Sequence, residues 1–392
     1  MRLLSLCLSL AAGEFLASLV RPAAAAWPVA AGVAVLVLLF GYGFAVRGWP
    51  FAFVLFAGAA LFFAAAMREE RCFRDRPWMR GCERFLKGGR PADAPLARRL
   101  RRDLSRRLSL GVAPEGGTAS LSRAILLGER SRLSPEMRRT FVESGTIHVF
   151  AISGLHVMAI ADVLAVVLAV LFVPRRFAGV VTVPFLWGYV WLIGCPPSAV
   201  RAALMTTVSC GAALAWRRPN GLRAWAITFL LVHLCRPLLL VEVGNALSFA
   251  VMLAIVLAGE LGKDLPRTIC ALWTTFAAWA AGVPIAAHVF GRLTPGGLLA
   301  NLVLIETARV SVVSGAVGVA LGFVSSALAA HFNNLSALGI RLMTTVADGV
   351  SRLPGANFET GRWPLSACAL WYAGLVLAGW MLFRGLRRRH LL

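Results

Sequence analysis

The residue types that could do chemistry are concentrated in one short run, which reads His148-Val-Phe-Ala-Ile-Ser153-Gly154-Leu-His156-Val. This run leads into a long apolar segment, residues 151–173, in which the only ionisable side chains are His156 and Asp162. A segment of this length can cross the ~30 Å hydrocarbon core of a membrane. A central Asp in such a span costs roughly 2.5–3.5 kcal/mol, so ionisable groups there usually face protein or water. Ser153 and His156 lie one helical turn apart, and Gly154 permits close approach of another backbone, which indicates a polar site.

Hydrolytic and metal chemistry fit this run poorly. His148 and His156 are eight residues apart, which is ~12 Å along a helix and too far for both to bind one metal ion. The context of Ser153, Ala-Ile-Ser-Gly-Leu, lacks the first Gly of a nucleophile elbow. A buried, hydrogen-bonding role for His156 is therefore favoured over a catalytic base. We expect no catalytic residue, no metal site and no cofactor.

Composition places the chain among integral membrane proteins. Its 392 residues are 59% hydrophobic, whereas soluble domains have about 45–50%. Repeated apolar runs predict an all-α fold, a polytopic integral membrane helical bundle with about 11–12 transmembrane helices. The net charge of +22 lies mainly in loops. Two explanations are open for it, the orientation rule for cytoplasmic Lys/Arg and the attraction of a polyanion.

The pattern of apolar and basic segments predicts three regions. Residues 1–67 form N-terminal transmembrane helices, although the first apolar run, 3–20, could instead be a signal peptide. Residues 68–145 form a basic loop, which we expect outside the cytoplasm because long loops translocate largely regardless of charge. Within it, residues 96–110 predict a basic amphipathic helix. That helix either lies on the membrane surface or packs as a charged helix on the domain.

Two of the eight cysteines, Cys72 and Cys82, lie in this basic loop. Outside the cytoplasm they could form a disulfide that closes a short ring and stabilises a loop with little core of its own. The alternative is two free thiols. Neither has a His or a further Cys nearby, which argues against zinc.

Proline-containing turns interrupt the later spans at Pro196-Pro197 and at Pro295-Gly296. They predict broken or re-entrant helices around a polar path. Arg201 lies one turn inside the helix that follows the first break. We expect it to face a pore or join a polar network rather than to snorkel toward headgroups. Residues 331–353 are amphipathic, and the sequence leaves open whether this segment crosses the membrane or lies flat on it.

Several short motifs occur in one order along the chain. They are Leu-Gly-Glu-Arg-Ser at 127–131, Leu-Ser-Pro-Glu at 133–136, the run from His148 to His156, Arg-Ala-Ala-Leu-Met at 201–205, Gly-x-x-Leu-Ser-Phe at 244–249, and Pro-Gly-Gly at 295–297 followed by Asn301. This order resembles the membrane domain of ComEC-type competence proteins. The resemblance begins at residue 96 and assigns 146–392 to the competence membrane domain. It departs from the family at Glu306, where a proline is common. No OB-fold is evident in the basic loop, and we expect no C-terminal metallo-β-lactamase domain.

The resemblance implies a multi-pass channel of the cell inner (cytoplasmic) membrane that carries single-stranded DNA into the cytoplasm during natural transformation, and not an enzyme. The implied partners are single-stranded DNA and the lipid bilayer, with other DNA-uptake proteins, a separate nuclease and a homo-oligomer as further expectations. The candidate pore and motif residues are Ser153, Gly154, His156, Arg201, Ser248 and Asn301. The secondary candidates are His148, Asp162, Glu242 and Glu306.

Two other classes of function use some of the same features. A secondary transporter for a small anion or drug would also have broken helices and polar groups at mid-membrane. An intramembrane hydrolase fits worst, for the reasons given for Ser153 and the two histidines.

Overall fold

The computed structural model of the chain describes residues 95–389, with gaps at 113–116, 130–133, 150–151, 236–238 and 240–241. The predicted N-terminal helices and the Cys72–Cys82 pair lie outside the described residues and stay predictions.

The described residues form twelve α-helices, one short 3-10 helix and two two-residue strands that pair as a small sheet. The helices are α1 Pro95–Leu108, α2 Thr118–Leu127, α3 Pro135–Glu143, α4 Gly154–Val170, α5 Arg175–Leu192, α6 Pro197–Leu214, α7 Gly221–Cys235, α8 Val243–Leu261, α9 Arg267–Phe290, α10 Gly296–Leu321, α11 Ser326–Ser351 and α12 Leu365–Arg389. The 3-10 helix is Ile147–Val149, and the strands are β1 Arg292–Leu293 and β2 Phe358–Glu359.

Three of the described helices, α8, α9 and α10, are long and apolar enough to cross a membrane. Shorter apolar helices lie in α2, α4, α7 and α12. The predicted all-α membrane fold is confirmed. The total of about 11–12 transmembrane helices stays a prediction, because part of the chain is not described.

The described helices fall into two compact units. The first unit contains α1 to α6, α10 and α11, and the second contains α7 to α9 and α12. The predicted division at residue 145 stays a prediction, and α3 and α4 on its two sides both belong to the first unit.

In the first unit, α10 and α11 form an antiparallel hairpin with small residues at its interface. Ser336 Oγ donates to the carbonyl of Ser311 at 2.8 Å. A Cβ on Gly339 would overlap Ser311 Oγ, and one on Gly318 would overlap Asn333 Oδ1. Small residues of this kind let membrane helices approach closely, and close approach increases van der Waals contact where lipid supplies no hydrophobic drive.

This hairpin extends over the whole of α10. At its start, Gly296 lies against Val350 and Ala356, and near its end Gly318 lies against Asn333. A helix that follows a membrane span along its full length shares the depth of that span. An α10 that crosses the membrane would therefore have α11 beside it along its length, although α11 is not among the helices apolar enough to cross alone. The sequence left open whether residues 331–353 cross, and that point stays open.

The basic helix α1 is docked on this hairpin by two side chains that cap helix ends, one from the hairpin to α1 and one from α1 to the hairpin. Asn333 Nδ2 donates to the carbonyls of Arg107 and Leu110, at 2.7 and 3.0 Å, and so caps the end of α1. In return the Arg107 guanidinium donates to the carbonyl of Gly322 at the end of α10, and it lies 3.6 Å from the ring centroid of Phe323. A cation at a helix C-terminus also interacts favourably with the helix dipole.

Of the two alternatives for this helix, the structure shows the packed one. Ala97 and Leu108 are buried against the first unit, while Leu96 and Leu100 are exposed. The two exposed leucines leave α1 able to contact a membrane surface as well.

In the second unit, α9 and α12 are joined through backbone carbonyls of α9. Tyr372 Oη donates to the Ala281 carbonyl at 2.8 Å, and Trp371 Nε1 donates to the Ala280 carbonyl at 2.9 Å. Tyr372 is buried and packs with Ile285. Pro284 lies inside α9 and has no N–H, so the carbonyl four residues earlier lacks its usual helical partner. That carbonyl belongs to Ala280, and Trp371 donates to it.

The α10–α11 interface predicts opposite effects for two glycines on one helix. Gly339→Ala should lower the free energy of unfolding by about 1–3 kcal/mol, because its methyl group overlaps Ser311. Gly349→Ala should raise it by up to about 1 kcal/mol, because no atom lies within 4 Å of the added methyl. Thermal unfolding of the detergent-solubilised proteins measures both. Equal effects at the two positions would contradict the packing described.

Candidate functional site

The starts of α4 and α6 lie side by side in the first unit. Ser198 Oγ, at the start of α6, donates to the carbonyl of Ile152, just before α4. Further along, Thr206 Oγ1 donates to Met158 Sδ at 3.7 Å. The two contacts show that the helices run parallel, and they place Arg201 level with residues 154–155 of α4. The structure thus brings Ser153, Gly154, His156 and Arg201 to one place.

Ser153 and His156 close the start of α4. Ser153 is the extended N-cap residue, and its backbone N–H donates to His156 Nδ1 at 3.0 Å. Because a backbone N–H can only donate, Nδ1 carries no proton, and a neutral ring has its proton on Nε2. His156 is 0% exposed. This is the buried, hydrogen-bonding histidine that the sequence favoured.

The same pair has one feature of a nucleophile and its base. Ser153 Oγ lies 2.9 Å from His156 Nδ1, within the reach expected of such a pair. However, the nitrogen that would take the proton is already the acceptor for the Ser153 backbone N–H. The geometry is therefore that of a helix cap, in which a side chain satisfies a free backbone donor.

Arg201 is enclosed by protein, being only 7% exposed. A side chain that snorkelled toward headgroups would extend out of the fold, so the observed burial favours the polar-network interpretation. An arginine guanidinium is a permanent positive charge in proteins. The positive ends of the α4 and α6 dipoles lie at the same level, and together these groups make this end of the first unit electropositive.

The predicted break at Pro196-Pro197 is present and separates α5 from α6. Gly194 and Cys195 both have positive φ, 88° and 52°, and they turn the chain out of α5. Arg101 of α1 donates to the carbonyl of Leu192, the last residue of α5. The basic helix thus caps α5 five residues before α6 begins, which ties it to the site.

The upstream motif residues position the same site. Gly128, which ends α2 with a φ of 75°, lies so close to Ile152 that a Cβ would be 2.7 Å from its Cδ1. Tyr189 Oη of α5 donates to the Leu126 carbonyl at 2.9 Å. In the Leu-Ser-Pro-Glu motif, Ser134 caps α3 by accepting the Met137 N–H at 3.2 Å. Gly128 and Tyr189 thus hold α2 and α5 near the start of α4, and Ser134 stabilises α3 itself.

Asn301 lies near the start of α10, in the first unit. The break before α10 is present, and the Gly296 N–H donates to the Ala356 carbonyl at 3.0 Å. Asn301 is half-buried, and its Oδ1 accepts no hydrogen bond from any residue in the described part of the chain. α10 continues unbroken through Glu306, the position at which the resembled motif commonly has a proline.

Ser248 belongs to the second unit and is half-buried. Its motif holds α7 against α8, because the ring of Phe249 packs on Trp225, Phe229 and His233, at centroid distances of 6.0, 5.2 and 5.3 Å. Trp225 Nε1 also donates to the Phe249 carbonyl at 3.0 Å.

The sequence did not single out His233, which lies at the centre of this packing. His233 Nδ1 donates to the Phe229 carbonyl at 2.8 Å, and its Nε2 accepts from Asn245 Nδ2 at 3.1 Å. Both His233 and Asn245 are buried. The sequence signal that could have identified this pair is one polar residue in each of two apolar helices, α7 and α8, near the connection between them.

The secondary candidates lie in several different elements. His148 is exposed in the 3-10 helix, Glu242 is exposed before α8, and Glu306 is exposed on α10. Asp162 forms an ion pair with Arg309, a residue that the sequence did not suggest, at 2.6 Å. Within the described residues, no group of three His, Cys, Asp or Glu side chains could hold a metal ion.

Comparison with known proteins gives a family match and one curated relative. Residues 125–385, more than half of the chain, match the family model described as "Competence protein". ComE operon protein 3 of Bacillus subtilis (strain 168) is 28% identical over 237 residues, which cover 59% of this chain and 30% of that protein. The chain therefore matches less than a third of that relative's length. No solved structure matches the chain.

The cap at His156 predicts a difference between two substitutions. His156→Asn should change stability little, because the Asn amide oxygen can accept the Ser153 N–H in place of Nδ1. His156→Leu removes the acceptor and should cost about 1–3 kcal/mol. Thermal unfolding in detergent is the measurement. A His156→Asn variant as unstable as His156→Leu would contradict the cap.

Proposed function

Because the chain belongs to the competence protein family, we propose that it is a multi-pass channel subunit of the inner (cytoplasmic) membrane that carries single-stranded DNA into the cytoplasm. The family supports a role in competence. The buried Arg201, level with the joined starts of α4 and α6, is the observation that supports an anionic substrate most directly.

The physics of the substrate restricts the kind of path. Single-stranded DNA carries one charge per ~3.4 Å, so a ~30 Å hydrocarbon core would hold roughly nine phosphates at once. Such a charge density requires a hydrated path. Conduction also requires binding that is weak enough for release. One enclosed arginine and two helix starts provide positive potential without a dense basic lining.

A second basic feature is joined to the site through the end of α5. Helix α1, whose Arg101 caps the end of α5, exposes Arg98, Arg99, Arg102 and Arg106. Clustered exposed arginines attract a polyanion over about a Debye length, ~8–10 Å at physiological ionic strength. DNA would first meet this helix and then the start of α6. Other DNA-uptake proteins and a separate nuclease are the partners this role requires, and no catalytic role is assigned to the chain.

The main alternative is a secondary transporter for a small anion or drug. The breaks before α6 and α10 favour it, since broken helices direct their starts at substrates in transporters. The two functions differ in the effect of losing the protein. A transporter deletion leaves transformation unchanged and alters tolerance to a solute.

Substitutions of Arg201 test the proposal. Arg201→Met keeps most of the side-chain volume but removes the charge, and it should lower uptake of labelled DNA at least tenfold at matched amounts of inserted protein. Arg201→Lys should recover part of the uptake, because a point charge still attracts phosphate although the planar fork is lost. Arg218→Ala, at an exposed loop arginine, is the control for loss of one positive charge and should transport normally. Wild-type uptake by Arg201→Met would overturn the role of Arg201.

A further inference from the structure

Two charged residues of α10 lie at the middle of a candidate membrane span. α10 has 26 residues, and Glu306 and Arg309 are its eleventh and fourteenth. At 1.5 Å per residue, both lie within about 4 Å of the midpoint of the helix. They are thus placed where the hydrocarbon core is farthest from water on either side.

Arg309 is paired, but the pair is not enclosed by protein. Its Nη2 lies 2.6 Å from Asp162 Oδ2 on α4, and the two side chains are 48% and 46% exposed. Glu306, one turn before Arg309, is exposed as well. Lipid against this face would meet two carboxylates and one guanidinium at mid-depth. Ionisable groups at this depth almost always face the bundle interior or a water-filled cavity.

The exposed surface beside these charges is apolar. Leu302, Val303 and Val310 of α10 and Met158 of α4 are exposed. A wall that is apolar except for charges at one depth binds a polyanion only weakly. Conduction requires such weak binding. At that level Asp162 competes with any phosphate for Arg309, and Glu306 repels the phosphate. Both effects shorten the time a phosphate stays.

We propose that the face of α4 and α10 around Asp162, Glu306 and Arg309 borders a water-filled path at the middle of the membrane. The Asp162–Arg309 pair lies on the wall of this path at mid-depth. The assignment of single-stranded DNA as the solute rests on the proposed function. The presence of water at this depth does not depend on that function.

Thiol labelling tests the water-filled path without any DNA. In cells that express Glu306→Cys, a charged, membrane-impermeant methanethiosulfonate should modify the new thiol, and mass spectrometry of the peptide that contains residue 306 reports the rate. Leu338→Cys is the matched control. Leu338 is the thirteenth of the 26 residues of α11, so its depth in a helix of equal length is similar. It is 62% exposed on a stripe with Leu335 and Leu342, and we expect it to face lipid.

Modification at least tenfold faster at residue 306 than at residue 338 supports the path. No modification at residue 306, or equal rates at the two positions, overturns it. A deletion strain, compared with the labelling result, separates the two proposals. If residue 306 is modified while deletion of the protein leaves DNA uptake unchanged, the water-filled path stands and the DNA assignment fails.

Substitution of the pair tests its role at this level. Arg309→Gln leaves Asp162 and Glu306 facing the phosphates, and uptake should fall at least tenfold. Asp162→Arg combined with Arg309→Asp restores the pair with its partners exchanged and should recover at least half of the uptake. Unchanged uptake by Arg309→Gln, at matched amounts of inserted protein, overturns the role of the pair.

Discussion

Helix ends that pack inside the bundle must satisfy their free carbonyl groups, and arranging partners for them is the constraint on which this structure depends. Side chains from distant helices supply the partners. Arg101 donates to the end of α5, Arg107 donates to the end of α10, and Asn333 donates to the end of α1. The basic helix α1 is therefore a structural part of the first unit, and its remaining exposed arginines are available for other contacts.

The same constraint shapes the candidate site. Where α5 ends and α6 begins, the chain turns through two residues with positive φ and two prolines, and the start of α4 lies alongside. His156 satisfies one free N–H at that start, and Ser198 satisfies the Ile152 carbonyl. The starts of α4 and α6, with the enclosed Arg201, therefore make this end of the first unit electropositive. Such an end suits a phosphate backbone better than a neutral solute.

Local features of this architecture were predictable from the sequence, and long-range pairs were not. Prolines marked the breaks before α6 and α10, and the spacing of Ser153 and His156 indicated contact within one turn. The partner of Asp162 is 147 residues away, and that of Arg107 is 215 residues away. One sequence contains no signal that selects Arg309 or Gly322 from the other candidates. The pair His233 and Asn245, across the connection between α7 and α8, was missed because nothing in the sequence selects these two polar residues as partners.

DNA transport by this chain is measured most directly with a chromosomal deletion and its complemented strain. Cells receive labelled duplex DNA, and the label that enters the cytoplasm as single strands is measured beside the label bound at the surface. If the chain carries DNA across the membrane, the deletion strain should show normal surface binding, at least a tenfold loss of cytoplasmic label, and recovery on complementation. Unchanged cytoplasmic label in the deletion strain would contradict DNA transport by this chain.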